Sequence, residues 1–279
     1  MAKIFSGKDF ADRAEQKLIK KFSSLPAKLK ELVLVDILIG NDKSAQAYVN
    51  LKKAAAGRVG INFEAVYRSE KASGSDLLAL VNRLNQDRRV GGIMFQLPFP
   101  ENLRDSQREV IDNIYFEKDV DCLTSRRLER VVKGENDFLP ATVAAVVKIL
   151  AYSGVSDSEL VGKRIVVVGR SDIVGRPLAA FLKNHKAKVT VCHRQTKRLS
   201  DYTQSAEVLV SATGRPDLIK ENMVAKGAVV IDVGSPKGDV DLERVRKRAS
   251  FITPVPGGVG PVTVICLLEN FIKLLYQKN

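Results

Sequence analysis

The sequence predicts an α/β protein of two lobes built on mainly parallel sheets. Three observations carry that reading. Apolar runs of strand length alternate with segments of helical apolar periodicity from end to end, with no internal repeat. The 279 residues, 45% of them hydrophobic, suffice for two cores. The run Gly162-Lys-Arg-Ile-Val-Val-Val-Gly169-Arg-Ser-Asp-Ile-Val-Gly175-Arg-Pro177 turns a buried strand into a helix through a glycine-bearing loop.

The elements follow in chain order. Residues 32–39 read as a buried strand, 44–56 as a helix and 62–67 as a second strand. Residues 75–86 are helical, with Ser75 as N-cap and Leu77, Leu78, Leu80, Val81 and Leu84 as the buried stripe. A third strand, 92–95, runs into Gln96-Leu97-Pro98-Phe99-Pro100, whose prolines stop the ladder and leave Gln96 at the strand's carboxyl end. Beyond it, a helix over 142–152 precedes strands at 164–168, 188–192, 207–211 and 228–233. The glycine- and proline-dense segment 254–261 reads as a hinge or binding loop before a last helix, 262–278. The expected division is a first lobe over 1–139, a dinucleotide-binding lobe over 140–254, and a segment, 255–279, that returns to the first lobe.

A strand-to-helix turn of this kind aims free backbone N–H groups and the positive end of a helix macrodipole at one spot, which suits a dinucleotide pyrophosphate. Here Gly169 opens the turn, Ser171 takes the place of the usual second glycine, and Gly175 falls one residue late. An ordinary tight turn is the competing reading. The next strand ends in His193-Arg194-Gln195-Thr196, with no acid to hold a ribose 2′-hydroxyl. A guanidinium there suits a 2′-phosphate, so the expected cofactor is NADP, with Arg194 and Arg170 as discriminators. Each arginine reads equally as a solvated surface charge. Ile173, Val174, Thr213 and Gly214 complete the expected cofactor contacts.

The formal charge of +13 raises a nucleic-acid reading, but the basic residues are scattered, with modest clusters at 126–130 and 244–248 and no nucleic-acid-binding motif. The charge reads as solubility and attraction for small anions. Three separated cysteines indicate neither a disulfide framework nor a metal site. Apolar runs such as 32–39 are far shorter than a bilayer span, and the first residues lack a secretory apolar stretch, so the expectation is a cytoplasmic protein without a membrane segment.

Tyr48 and Lys52 lie four apart and so share one helix face, while Gln96 and Asp121 lie at strand ends and adjoining loops, where α/β sheets bind ligands. On spacing alone they read as well as a half-buried tyrosine, a solvated lysine and a turn aspartate. The blocks Tyr48-Val-Asn-Leu-Lys52-Lys53, Gly92-Ile-Met-Phe-Gln96-Leu-Pro98, Lys118-Asp-Val-Asp121, 169–177 and Pro254-Val-Pro-Gly-Gly-Val-Gly-Pro261 together change the weighting. In this order, over nearly the whole chain, they resemble the bifunctional methylenetetrahydrofolate dehydrogenase/methenyltetrahydrofolate cyclohydrolase family.

The resemblance implies an N-terminal folate-binding catalytic domain, a Rossmann-like NADP domain, and a helix that returns to the first. It implies oxidation of 5,10-methylenetetrahydrofolate with NADP and hydrolysis of the methenyl product to 10-formyltetrahydrofolate, in a cytoplasmic homodimer serving one-carbon metabolism and purine biosynthesis. Lys52 would move protons during water attack and ring opening, a job that needs some neutral amine. Gln96 would hold Lys52, Tyr48 would offer a ring face to folate, and Asp121 would accept hydrogen bonds from the pteridine. Leu97, Pro98, Pro256, Gly257, Gly258 and Pro261 would line the folate and nicotinamide sites, with the two lobes meeting at the one-carbon unit. Thr263 would touch substrate or serve as a helix-capping hydroxyl.

The chain departs from the family where a glycine normally follows the pteridine-binding aspartate: here it is Cys122, followed by Leu123-Thr124 in place of an aromatic-histidine pair. The Pro-Cys-Thr-Pro-x-Gly block reads Pro140-Ala-Thr-Val-Ala-Ala145, and an Asn-x-Gly is lost around 127–129. These changes motivate two alternatives, retention of only one activity, or a non-catalytic module that binds NADP or nucleic acid.

Overall fold

The computed structural model describes residues 1–278. Among them are nine strands: β1 (Lys3–Ile4), β2 (Val33–Ile39), β3 (Asn62–Arg68), β4 (Val90–Phe95), β5 (Arg164–Val168), β6 (Lys188–Cys192), β7 (Val208–Ser211), β8 (Val229–Asp232) and β9 (Phe251–Ile252). They form a sheet of six, in the order β1-β9-β8-β7-β5-β6, and a sheet of three, β3-β2-β4. Every strand pairing is parallel, as the alternation of strands and helices predicts.

Contacts divide the chain into two units: Met1–Ala11 with Arg130–Thr263, and Asp12–Glu129 with residue 264 onward. These contact divisions fall at 11/12, 129/130 and 263/264, and the first eleven residues pack with the six-stranded unit. The physical reason is β1, which pairs Lys3 with Phe251 and Ile4 with Ile252. Phe5 and Phe10 extend that join into an aromatic cluster with Tyr152 and Phe251. A strand of two residues has no periodicity to read.

In the three-stranded unit, β2 is central and buried, with Val35 opposite Glu64 on β3 and Ile93 on β4. The helix Lys43–Val59 follows it, longer than the expected 44–56 because Asp42 caps one end and Gly60 closes the other. Asp42 Oδ1 accepts from Ala45 N at 2.7 Å, and Gly60 takes φ +93, a value that favours glycine. The buried face of this helix is Val49, Lys52, Ala55, Ala56 and Val59. One lysine sits in an apolar stripe.

The helix Gly74–Gln86 is capped by Ser73, not by Ser75. Ser73 Oγ accepts from Asp76 N at 3.1 Å while Asp76 Oδ2 accepts from Ser73 N at 2.8 Å, a reciprocal box that Ser75 is too late to form. Ser75 Oγ instead contacts Ser73 Oγ at 2.8 Å. β4 begins two residues before the expected 92 and includes both glycines. A β-carbon at Gly92 would lie 2.2 Å from Val120 Cγ2 and 2.9 Å from Phe271 Cδ2, so only glycine lets this strand meet its neighbours.

The last helix, Val259–Tyr276, starts three residues before the expected 262 and takes Gly260 and Pro261 into its first turn. By length and composition alone it could cross a bilayer, contrary to the short apolar runs expected, yet 67% of it is buried inside the protein. Its apolarity is that of a core helix.

Candidate active site

Lys52 is 1% exposed, and its Nζ donates to Gln96 Oε1 at 2.8 Å. The sheet sets this up: Gln96 follows β4, its N–H donating to Ile37 O at 2.8 Å, so its amide stands at the carboxyl edge of the sheet that the helix Lys43–Val59 covers. The Tyr48 ring, one turn before Lys52, has its centroid 5.1 Å from Nζ, within cation–π reach. The structure therefore joins three of the four expected chemical residues directly.

A fourth member was not legible in the sequence. Asp36 lies in β2, fully buried, with Oδ2 2.6 Å from Lys52 Nζ. Burial pushes its carboxyl up from the usual range, and the Lys52 charge pulls the other way. The signal was one acid in the middle of an apolar strand.

Asp121 stands on the turn that follows a parallel bridge between Ile93 and Asp119, so it emerges at the same end of β4 as Gln96 and is half-buried. Buried Asp119 braces that turn by accepting from Leu123 N at 3.2 Å and Thr124 N at 2.9 Å. Burial raises the Asp119 carboxyl, and those hydrogen bonds oppose the rise. Lys118 is structural: its Nζ donates to the carbonyls of Leu84, Asn85 and Asp87 at 2.9, 2.7 and 2.9 Å, satisfying the end of the helix Gly74–Gln86. Cys122 has φ +58, which accounts for the glycine usual in the family at that place. Its thiol is fully buried and held well above the ordinary range by that burial, so it is no nucleophile.

In the six-stranded unit, β5 is followed by Gly169, whose φ is +127, and whose β-carbon, if present, would lie 2.4 Å from Ala212 O. A β-carbon at Gly175 would lie 2.2 Å from Gly169 O. The spacing is unusual but the two glycines do what the turn requires. Ser171 takes up two of the N–H groups at the start of the helix Gly175–Asn184, its Oγ accepting from Val174 N at 3.3 Å and its carbonyl from Arg176 N at 3.0 Å, and Pro177 has none, which leaves the Gly175 N–H for an anion. Ile173 is half-buried and Val174 buried at the base of this loop.

After β6, His193 N donates to Thr196 Oγ1 at 2.9 Å and Gln195 N approaches His193 Nδ1 at 3.3 Å, a tight turn with Arg194 exposed at its tip. Arg170 is exposed too, and neither guanidinium has a hydrogen-bond or ion-pair partner among the described residues. After β7, Thr213 N donates to Asp239 Oδ2 at 2.7 Å, which fixes the loop before Gly214 at φ +65. Sequence reading missed Asp239, which is far away in the chain and fully buried.

Pro256 and Gly257 are exposed, whereas Gly258 is buried against its own chain, where a β-carbon would lie 2.4 Å from Pro254 O. Pro261 and Thr263 lie in the last helix, and Thr263 Oγ1 donates to Val259 O at 3.2 Å. Its hydroxyl thus bonds within the helix. Leu97 is half-buried and Pro98 exposed beyond β4.

A family model described as the tetrahydrofolate dehydrogenase/cyclohydrolase catalytic domain matches residues 5–121, and one described as the NAD(P)-binding domain of the same family matches residues 140–279. The bifunctional protein FolD of Bacillus pumilus is 40% identical over 279 residues, covering 98% of this chain and 97% of that protein. A solved structure of the bifunctional FolD methylenetetrahydrofolate dehydrogenase/cyclohydrolase from Campylobacter jejuni is 37% identical with TM-score 0.92, covering 100% of both chains. The Trypanosoma brucei methylenetetrahydrofolate dehydrogenase-cyclohydrolase, complexed with NADP and an inhibitor, is 35% identical with TM-score 0.92, covering 99% of this chain and 98% of that one.

Proposed function

The chain belongs to the tetrahydrofolate dehydrogenase/cyclohydrolase family, and from that premise we propose how its residues perform two consecutive reactions on one folate carbon. It is an enzyme of one-carbon metabolism that oxidises 5,10-methylenetetrahydrofolate to the 5,10-methenyl cation with NADP and hydrolyses that cation to 10-formyltetrahydrofolate. The observation that supports the residue roles best is the buried Lys52–Gln96 hydrogen bond at 2.8 Å. A sensor would have no use for a lysine held that way.

Hydrolysis begins when water attacks the methenyl carbon and gives a proton to the Lys52 amine. Lys52 then returns a proton to N5 of the carbinolamine. The carbon–N5 bond breaks, its electrons stay on N5, and the hydroxyl loses its proton to become the formyl carbonyl. One proton leaves overall. Gln96 keeps the amine aimed by accepting from it, and the Tyr48 ring supplies a face for the folate and for the ammonium. Asp121 accepts from the N–H edge of the pteridine. Leu97, Pro98, Pro256, Gly257, Gly258, Pro261 and Thr263 are proposed as further folate contacts.

NADP, when bound, supplies the hydride acceptor of the first reaction. The residues present fit it: two glycines without which the turn at 169–175 would clash, the Gly175 N–H at the helix start, and Arg170 and Arg194, which have no hydrogen-bond or ion-pair partner among the described residues. Gly169, Ser171, Ile173, Val174 and Gly175 would hold the pyrophosphate, with His193, Thr213 and Gly214 beside it. We assign folate binding to 1–139, NADP binding to 140–254 and the connecting loop and helix to 255–279. A cytoplasmic homodimer that supplies formyl groups to purine biosynthesis completes the reading.

The test is a steady-state assay on the pure protein that follows NADPH formation and methenyl hydrolysis separately. NADPH formation is expected, and Lys52→Met should abolish hydrolysis while leaving NADP affinity within about twofold. Undiminished hydrolysis in that variant would refute the role given to Lys52.

A further inference from the structure

Asp36 is the one buried acid beside the proposed catalytic group that the roles above leave unused. Its setting is unfavourable to a carboxylate. Both faces of β2 are buried, its partners across the sheet are Ala65 and Met94, and among the described residues neither oxygen has a hydrogen-bond partner, the ion-pair contact with Lys52 being its one polar neighbour. The one charge acting on it is that of Lys52. A valine would fill the strand without the cost of burying a charge, and buried ion pairs of this kind add little stability over apolar replacements. What Asp36 does is therefore to be sought in its effect on Lys52.

Lys52 Nζ has three donor positions. Gln96 at 2.8 Å takes one by hydrogen bond, the Asp36 carboxyl lies in ion-pair contact with the same nitrogen at 2.6 Å, and the Tyr48 ring stands on a further side. A separation of 2.6 Å puts the carboxyl and the amine in direct contact, with no room for another group between them. An anion fixed there makes the neutral amine a stronger base, because it stabilises the ammonium formed when water gives up its proton.

We infer that Asp36, ionised, is a positioning residue that holds Lys52 against Gln96 and sets the pH range in which Lys52 transfers protons. The inference rests on the proton-transfer role proposed for Lys52. The titratable groups on the Asp36 side of the sheet are Lys52 and Tyr48 on the helix Lys43–Val59 and, on β3, the exposed Tyr67, which pairs with Leu38 two residues beyond Asp36. On β3, Glu64 pairs with Val35 and so points to the other face. β4 offers Gln96, which does not titrate.

The experiment compares the pH profile of kcat/KM for methenyl hydrolysis in the wild type and in Asp36→Asn. Removing an anion from beside an ammonium eases loss of its proton, so the acid limb is expected to move to lower pH by about one to three units, and the plateau to fall by about tenfold or more. A slower enzyme whose limb stays in place would overturn the inference, since a merely structural role lowers rate without moving the limb. Asp36→Val repeats the comparison should the amide variant not fold. Infrared spectra at neutral pH give an independent reading: a protonated-carboxyl band should be absent from the wild type, appear in Lys52→Met, and vanish again in Lys52→Met/Asp36→Val. A band present in the wild type, or absent from Lys52→Met, would overturn the ionised pairing. Hydrolysis surviving in Lys52→Met would instead remove the role given to Lys52, while the infrared result still decides the pairing.

Discussion

The α-carbon of Gly175 faces the carbonyl of Gly169 so closely that a β-carbon would stand 2.2 Å from its oxygen. The obstacle is backbone and cannot swing aside. Gly175→Ala is therefore expected to reshape the loop, destabilise the protein by about 1–3 kcal/mol as overpacking does, and raise the NADP Kd at least about tenfold. Gly57 is the control. It lies exposed within the helix Lys43–Val59, and a β-carbon there would meet nothing within 4 Å, so Gly57→Ala should stabilise by about 0.5–1 kcal/mol. Urea unfolding and cofactor titration on both variants check the contrast.

Arg194 stands exposed at the tip of the turn after β6 with no competing partner among the described residues. A guanidinium–phosphate hydrogen bond contributes about 1.5–3 kcal/mol, or roughly a 10- to 150-fold change in affinity. Arg194→Ser should weaken NADP by that factor and NAD by less than about threefold, measured by cofactor titration. Equal weakening of both would mean that the arginine does not read the 2′-phosphate.

Cys122 occupies a left-handed backbone conformation, φ +58, in a buried turn. Any side chain with a β-carbon pays about 1–2 kcal/mol there, whereas glycine does not. The order of stability is therefore expected to invert the usual one for a buried site: Cys122→Gly should exceed Cys122→Ala by about 1 kcal/mol in chemical denaturation. The native thiol should also resist a thiol reagent until the protein unfolds.

The Arg89 side chain and backbone N–H hydrogen-bond Asp87 and hold its carboxyl at about 2, below the ordinary 3.8. A carboxyl depressed in the folded state adds stability that is complete above the unfolded value and is lost as pH falls through the folded one. The window is pH 3.8 down to about 2. Arg89→Met should move the Asp87 carboxyl titration, followed by carbon-13 NMR, part of the way towards 3.8 and reduce that contribution, the backbone N–H of residue 89 keeping the remainder.

Much of the architecture was legible because it is written in short-range patterns. The β-branched runs of β5, β6 and β8 and the stripe Leu77, Leu80, Val81, Leu84 name their own elements. What escaped depends on residues far apart in sequence. β1 needs β9, about 250 positions away, and Gly92 lies inside a strand only because Val120 and Phe271 press on it. The cap falls on Ser73 and not on Ser75 because Asp76 answers Ser73, a reciprocity that apolar periodicity does not show. At the site, Tyr48, Lys52 and Gln96 could be named from motifs, but Asp36 could not, since an acid within an apolar strand gains meaning only when the lysine above it is seen to be buried as well.

Each unit is assembled from two separated stretches of chain, and the three-stranded one is completed only by residues from 264 onward. During synthesis, β2, β3 and β4 will have left the ribosome long before Phe271 arrives to cover Gly92. This sheet must wait for almost the whole polypeptide, exposed on the flank that the final helix shields, so a fragment ending near residue 140 should aggregate rather than fold.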